Sequence, residues 1–212
     1  MQAPTLEEVY TRPKSKSLFD RVRAHILEGV FPPGHWLKQA ELEDRYAASR
    51  SEVRAALSSL ADRGVVEYVH NRGFRVYDRS PQEINDIIEM IMVLEGAAAD
   101  SMVQRVDEAA MANLTDLAEQ FDALIAGGSH ADLRLLNYRF HSELNALGAN
   151  ALMARTIQNL RECCISGPFG RYTTYQGLSA SAAEHFGILE ALKTRDGKRL
   201  AKLLRDHSSH TS

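Results

Sequence analysis

Apolar residues near the N-terminus recur every three or four positions and predict three short helices. These cover about residues 17–29, 40–46 and 49–62, and a glycine follows the first and the third. The third helix opens with Ser49 and Glu52, the S-x-x-E pattern whose hydroxyl and carboxylate satisfy free amide groups at a helix start. This pattern fixes where the helix begins.

A β-hairpin is predicted after the third helix. Residues 65–69 and 74–77 are rich in Val, Phe and Tyr, and a His-Asn-Arg-Gly turn lies between them at residues 70–73. Helix, helix, short turn, helix and hairpin is the order of elements in a winged helix-turn-helix. In that fold the second helix of the tight pair presents its N-terminal residues to the major groove of DNA.

From about residue 80 the helical period continues to the end of the chain. An Asp-Arg-Ser-Pro stretch at residues 78–81 precedes it, so we place the domain boundary between residues 79 and 80. The predicted helices cover residues 82–104, 108–125, 133–147, 152–165, 181–193 and 198–207. The expected fold is mostly α: a winged helix-turn-helix over residues 1–79 and an antiparallel all-helical bundle over residues 80–212.

The composition is that of a folded protein, and its charge is divided unevenly. The 212 residues are 44% hydrophobic with a net charge of −3, which by itself does not suggest a nucleic-acid binder. Residues 1–79 hold 13 Lys and Arg against 11 Asp and Glu, whereas residues 80–212 hold 12 against 17. A mildly basic domain therefore precedes an acidic one. So small a basic excess predicts that useful DNA affinity requires the paired contacts of a dimer.

Cysteine content and apolar runs restrict the class of protein further. Cys163 and Cys164 are the only cysteines, and their adjacency excludes a C-x-x-C motif and a disulfide scaffold. No apolar stretch follows a basic segment at the N-terminus, and no apolar run is long enough to span a bilayer. We expect a cytoplasmic protein with reduced thiols and no membrane partner.

Basic residues at the start of the third helix and in the hairpin turn are candidates for DNA contacts. Arg50 and Arg54 lie four positions apart and so face the same side of the helix. Arginine donates two parallel hydrogen bonds to guanine or clamps a phosphate, and a solvated helix face is the alternative interpretation. The predicted DNA-binding residues are Arg50, Ser51, Arg54, His70, Arg72 and Gly73.

Histidines occupy positions in the apolar stripes of three C-terminal helices. His185 begins one stripe and His207 ends another, while Asn137 and His141 lie one turn apart on the inner face of a third helix. Each buried ring needs a polar partner, since leaving it unpaired costs a few kcal/mol. Three imidazoles in one interior suit zinc, with nickel or manganese as other options, and core histidines bonded to carbonyl oxygens are the alternative.

Other polar residues of the second half are candidates for ligand binding. Glu95 lies on the inner side of its helix, where we expect an interior ion pair or an interdomain contact. The candidates for holding an anionic effector near the metal are Arg155, Arg161 and Tyr172.

These motifs together resemble a known family of bacterial transcription regulators. Residues 41–57, 60–66 and 71–73 are similar to the winged-helix signature of the GntR family. The second half resembles FCD, the helical effector domain of the FadR-like branch, in Leu94-Glu95-Gly96, Phe140-His141, Gly148-Ala149-Asn150 and Glu184-His185.

The resemblance implies a homodimer that binds a pseudo-palindromic operator. A small carboxylate or sugar acid bound near a metal in the helical domain would alter operator affinity. The implied metal ligands are Asn137, His141, His185 and His207. Several positions depart from the family pattern. Asn137 stands where aspartate is usual, Ala40 where an arginine is common, and Ala47 where a glycine is common between the two DNA-reading helices.

Two other functions fit some of these features. A metal-dependent enzyme would use the three histidines to activate water. However, no acidic residue is evident beside the histidines as the general base that H-E-x-x-H provides, and an enzyme leaves the winged helix unexplained. An adaptor that binds protein through the wing is a third alternative. We therefore expect a ligand-responsive transcription regulator and not an enzyme.

Overall fold

The computed structural model describes residues 17–164 and 174–209. The N-terminal part of these residues forms α1 (Leu18–Leu27), β1 (Trp36–Leu37), α2 (Gln39–Tyr46), α3 (Arg50–Asp62), β2 (Val66–Val69) and β3 (Gly73–Val76). The rest forms α4 (Pro81–Arg105), α5 (Glu108–Leu124), α6 (His130–Ala146), α7 (Ala151–Cys164), α8 (Tyr175–Lys193) and α9 (Gly197–Ser209). The predicted fold class, mostly α with a small wing, is confirmed.

The first three helices enclose a core of their own, which the sheet completes. Val22 of α1, Leu42 of α2, Leu57 of α3 and Phe74 of β3 are all buried in it. Burial of these side chains is the main favourable contribution to packing, at roughly 1.5 to 3 kcal/mol for each fully buried large apolar side chain. The N-terminal unit is therefore held together by its own apolar contacts.

The sheet has three antiparallel strands in the order β1, β3, β2. The predicted hairpin is present, with Tyr68 of β2 opposite Phe74 of β3. Sequence analysis did not predict β1, because two residues cannot show the alternation that marks a strand. This segment becomes a strand only by pairing with the outer edge of β3.

The turn between α2 and α3 has an unusual backbone. Ala47 follows α2 with φ 49° and ψ 48°, in the left-handed region, and its N–H donates to the Glu43 carbonyl. Next, Ser49 and Glu52 form the predicted capping box, in which each side chain accepts from the backbone N–H of the other. The turn and the box together set the angle at which α3 leaves α2.

In the C-terminal part, α4 is the helix that most others contact. It packs against α9 over much of its length and also against α7, while α5 packs against α6 and α8. Met102, Phe121, Phe140 and Leu192 are fully buried in the main core. Every described helix falls short of the length and hydropathy that a membrane span requires.

The start of α8 differs from the sequence prediction. The helix begins at Tyr175, six residues before the predicted Ser181. Thr174 caps it by accepting a hydrogen bond from the Gly177 N–H at 3.1 Å, and Leu178 is buried. Glycine and serine weaken the helical signal of this segment, which tertiary packing of its first turns restores.

Arg195 holds the corner between α8 and α9 on the end of α4. Its φ is 53°, which directs the chain sharply into α9. Its guanidinium donates to the carbonyls of Val103 at 2.6 Å, Gln104 at 3.1 Å and Val106 at 3.3 Å. Carbonyls in the last turn of a helix find no N–H donor within the helix. The arginine therefore satisfies groups that would otherwise need water.

Candidate functional site

A groove of about 1030 Å³ runs between α3 and the wing. Four of the six predicted DNA-binding residues line it, namely Arg50, Ser51, Arg54 and Gly73. The capping box starts α3 at Arg50, so both arginines lie in its first two turns, and both are exposed. Two cations at the exposed start of a helix, beside a hairpin, form a surface suited to a polyanionic backbone and to base edges.

The other two predicted residues lie in the hairpin turn and do not line this groove. His70 and Arg72 are exposed, and the Arg72 guanidinium lies 4.4 Å from the centroid of the Trp36 ring. Asn71 and Gly73 carry φ values of 60° and 94°, which bend the chain at the wing tip. The stacking on Trp36 places the Arg72 charge over β1 rather than in the groove.

The three predicted histidines lie together inside the helical domain. His141 of α6, His185 of α8 and His207 of α9 are at most 1% exposed. One ring nitrogen of each lies within 4.8 Å of the others. The helical spacing that put each ring on an inner face thus brings the rings of three separate helices to one point.

Hydrogen bonds fix the orientation of these rings. His207 Nδ1 donates to Glu184 Oε2 at 2.6 Å, since a carboxylate only accepts. The other ring nitrogen of His207, Nε2, faces His141 Nε2 at 2.9 Å. His185 Nε2 lies 3.0 Å from Asn137 Oδ1. Three ring nitrogens and one amide oxygen therefore converge.

Burial keeps His141 neutral. Desolvation, followed by the nearby positive charge of Arg161 and by the other two histidines, lowers the pKa of His141 well below its usual value. The neutral ring is the form that binds a metal. Within the described residues, His141 Nδ1 has no hydrogen-bond partner, whereas its Nε2 is the atom that faces the other histidines.

The donor set fits a transition ion. Imidazole nitrogens with one oxygen are the ligands that zinc, nickel and related ions accept. Neighbouring donor atoms lie 2.9 and 3.0 Å apart, close to the roughly 3 to 3.4 Å that separates ligands bound to one ion at about 2.1 Å. Glu184 behind His207 is the carboxylate that commonly orients a metal-binding histidine.

Two sequence profiles match the chain over these two regions. The profile described as FCD domain matches residues 86–210, and the profile described as bacterial regulatory proteins, gntR family, matches residues 14–76. The chain belongs to the GntR family and carries an FCD domain. GntR regulators bind DNA and small-molecule effectors.

This GntR regulator is similar to transcriptional regulators over nearly their whole length. RspR, an HTH-type transcriptional repressor of Escherichia coli, is 24% identical over 205 residues, which cover 95% of this chain and 89% of RspR. YdhC of Bacillus subtilis, named an uncharacterized HTH-type transcriptional regulator, is 21% identical over 193 residues, covering 91% and 86%. The prediction of a regulator rather than a metal-dependent enzyme is confirmed.

The fold has counterparts among solved structures. McbR/YncC of E. coli has a TM-score of 0.82 to this chain at 18% identity, covering 91% of this chain and 92% of that one. A putative GntR regulator from Rhodococcus has a TM-score of 0.75 at 19% identity, with the same coverage. At these identities the likeness is one of fold.

Sequence analysis of this GntR regulator missed several residues of both regions. Gln39, Ser58 and Tyr68 also line the groove, and Tyr68 is 59% exposed with its ring 5.1 Å from that of Phe74. An aromatic residue in the wing was the available signal for Tyr68. Sequence analysis also missed the contact of Glu184 with His207, which joins α8 to α9 beside the histidines.

The predicted effector residues have different surroundings in the structure. Arg155 is exposed on α7, and Tyr172 lies outside the described residues. Arg161 is mostly buried and pairs with the fully buried Glu95 at 2.7 Å, so the interior ion pair expected of Glu95 is present. Among the candidates that the structure describes, Arg161 is the cation whose charge reaches the histidine cluster.

Proposed function

We propose that this GntR regulator acts in the cytoplasm as a homodimer that binds a pseudo-palindromic operator. Residues 1–79 would read DNA, and residues 80–212 would sense an effector and form the dimer. The observation that carries this proposal is the groove in which Arg50, Ser51, Arg54 and Gly73 meet between α3 and the wing. Such a surface in each of two subunits matches two half-sites on one face of a duplex.

Each part of the groove has its own role in recognition. Arg50 and Arg54, with Ser51 between them, would enter the major groove and contact base edges or flanking phosphates. The wing residues His70, Arg72 and Gly73 would contact the backbone or the minor groove. Arg72 would contribute its charge to backbone binding from its position over the Trp36 ring.

In the helical domain, Asn137, His141, His185 and His207 would hold a divalent transition metal. Zinc is the first choice and nickel or manganese the others, given the nitrogen-rich donor set. A bound metal would supply a positive centre for an anionic group of the effector. Glu184 would keep His207 in the tautomer that presents Nε2.

The effector would be a small carboxylate or sugar acid. Arg161 is the arginine whose charge acts on His141 of the histidine cluster, although Glu95 already engages it at 2.7 Å. An acid that binds Arg161 must therefore compete with Glu95 or share the guanidinium with it. Arg155 and Tyr172 are the other proposed contacts.

An exposed apolar surface supports the dimer. Met90 and Val93 of α4 are 51% and 66% exposed, and Leu152 of α7 is 62% exposed. These helices pack against each other, so both contribute to the outside of the same helical pair. Large exposed apolar side chains on neighbouring helices are a mark of a protein interface.

Replacing both groove arginines tests the DNA part. In the Arg50→Ala/Arg54→Ala variant we expect specific operator affinity to fall more than tenfold, since each contact contributes about 1 to 3 kcal/mol. Fluorescence anisotropy with a duplex selected by the wild-type protein measures it. Arg139→Ala, which removes an exposed arginine of α6, is the matched control and leaves the affinity unchanged. Unchanged specific affinity in the double variant would contradict the proposed role.

Replacing two histidines tests the metal part. Wild-type protein should bind one metal ion per chain and gain stability from it, about 2.7 kcal/mol at a free ion concentration of 100 times Kd. The His141→Ala/His185→Ala variant should lose both, as measured by metal analysis and thermal unfolding with added Zn²⁺. His130→Ala, at an exposed position of α6, is the control. A wild-type protein that neither contains nor takes up metal would rule the site out.

A further inference from the structure

The last turn of α7 contacts both the interior of the helical domain and the DNA-binding unit. Its consecutive residues Arg161, Glu162 and Cys163 point to different partners: Arg161 to Glu95 in α4, Glu162 to Arg23 in α1, and Cys163 to the backbone after α3. One short segment therefore contacts the interior of the sensing domain and the DNA-binding unit at two places, α1 and the backbone after α3.

Glu162 is the centre of the contact with α1. Its side chain is fully buried, and its Oε1 accepts from Arg23 at 2.6 Å and from the Tyr138 hydroxyl at 2.7 Å. Gln158 donates to the same hydroxyl. Burial, followed by the charge of Glu162, raises the pKa of Tyr138, so the phenol stays protonated and keeps donating. The carboxylate thus joins α1, α6 and α7.

Two routes lead from Glu162 to the histidine site. The first is α6 itself, in which Tyr138 directly follows Asn137 and precedes His141 by one helical turn. The second runs through side chains: Asn145 donates to the His141 carbonyl at 2.7 Å and to Glu95 at 2.8 Å. Glu95 in turn accepts from Arg161, the residue before Glu162. Both routes consist of direct hydrogen bonds or adjacent residues.

The burial of Glu162 makes this contact hard to break locally. Arg23 is 25% exposed and would be hydrated if α1 moved away, whereas Glu162 is 0% exposed and would be left as a buried unpaired carboxylate. Leaving one partner of a buried ion pair unpaired is strongly unfavourable. The DNA-binding unit therefore follows α7 when that helix shifts, instead of separating from it.

Two further residues, Arg79 and Cys163, make contacts between α7 and the DNA-binding unit. Arg79 donates to the carbonyls of Cys163 and Gly64, and the Cys163 thiol donates to the Arg63 carbonyl at 3.2 Å. Both connect α7 with the segment that immediately follows α3. A displacement of the last turn of α7 is thus transmitted to the DNA-binding unit at two places. These are α1 and the segment that follows α3.

We propose that Glu162 is the positioning residue through which the state of the histidine site reaches the DNA-binding unit. This inference rests on the proposed function, that is, on metal binding at the histidines and DNA binding at the groove. Glu162 touches neither the metal nor the DNA, so its replacement changes the link between the two sites and leaves each site intact.

The test uses the full chain, Zn²⁺ as the probe of the histidine site, and a duplex selected from random sequence by the wild-type protein. Duplex Kd is measured with and without saturating Zn²⁺ for wild type and for Glu162→Gln. We expect zinc to change the wild-type Kd by at least about fivefold, and that of Glu162→Gln by less than about twofold. Zinc affinity, measured by chelator competition, stays within about threefold of wild type, because no ligand changes.

Hydrogen exchange of the α1 amides supplies a second measurement that needs no DNA. Zinc should alter α1 exchange in the wild type and leave it unaltered in Glu162→Gln. Asp20→Asn is the matched control, since Asp20 is the other carboxylate near Arg23, at 3.5 Å on the same helix. That variant should keep the full zinc response.

The outcomes separate this inference from the proposed function. If Glu162→Gln is poorly folded by circular dichroism, the Arg23→Gln/Glu162→Gln variant replaces it, because two amides leave no unpaired charge. A zinc response equal to that of wild type in the tested variant overturns the proposal, and so does a wild type that binds both zinc and DNA without any link between them. A wild type that binds neither overturns the proposed function, and this inference with it.

Discussion

Ala47 adopts a backbone conformation that its side chain disfavours. At φ 49° the Cβ of an L-residue crowds the following carbonyl, which costs roughly 1 to 2 kcal/mol. The conformation persists because α2 must stop and α3 must start within a few residues. Glycine would avoid the crowding but would also lose more freedom on folding, which offsets part of the gain.

We predict that Ala47→Gly stabilises the DNA-binding unit by about 0.5 to 1 kcal/mol, the difference between these two effects. Urea unfolding followed by circular dichroism measures the change. Ala55→Gly, at an exposed interior position of α3, is the control and should destabilise by about 1 kcal/mol, since glycine there has only the entropic cost. A shift of the same sign in both variants would contradict the account.

Spacing along a helix was sufficient to place the three histidines, because a 3.6-residue period fixes the face on which a side chain lies. It was insufficient for Glu184, whose partner His207 is on the next helix and whose role depends on how α8 and α9 cross. Tyr68 shows the same limit, since its access to the groove depends on the docking of the wing beside α3. Contacts between elements are tertiary information that local patterns do not carry.

At the scale of elements, termini are where side chains decide the structure. The capping box of α3 was readable because both of its residues are close in sequence. The end of α4 is different: its carbonyls are satisfied by Arg195, which follows about ninety residues later. The missed strand β1 and the early start of α8 have the same cause, since each depends on a partner that is distant in sequence.

Arg195→Ala removes the side chain that covers the end of α4. We expect a loss of about 1 kcal/mol, less than a buried charged hydrogen bond would contribute because the residue is exposed. Thermal unfolding measures the loss. Lys198→Ala, in the first turn of α9 and also exposed, should change stability by less than about 0.5 kcal/mol. Equal effects of the two substitutions would show that the three carbonyl contacts are unimportant.

At the scale of the whole molecule, the two parts have opposite charge and different tasks. The basic excess of residues 1–79 is only two charges, so one winged helix gains little from the phosphate backbone alone. In the proposed dimer, pairing two of them on one duplex would supply the missing affinity, because the second contact is made at high effective concentration. Dimer formation and DNA affinity are therefore expected to change together.

Val93→Asp tests this dependence by placing a charge on the exposed apolar face of α4. We expect a monomer by analytical ultracentrifugation and a fall in operator affinity of at least about a hundredfold. Zinc uptake should be retained, since Val93 is 66% exposed and is not one of the proposed ligands. Tyr175→Asp, 70% exposed at the start of α8, is the control. A variant that stays dimeric would place the interface elsewhere.

The adjacent cysteines differ in what covers them. Cys163 lies against the backbone of the DNA-binding unit, whereas Cys164 packs with Ile157 and the apolar residues of α4. Burial raises the pKa of the Cys163 thiol, and it raises that of Cys164 to about 12. Because the thiolate is the form that attacks a maleimide, both should label slowly while the two parts are joined. Separation of the two parts would uncover only Cys163. The ratio of labelling at Cys163 to labelling at Cys164 therefore measures how often the two domains open.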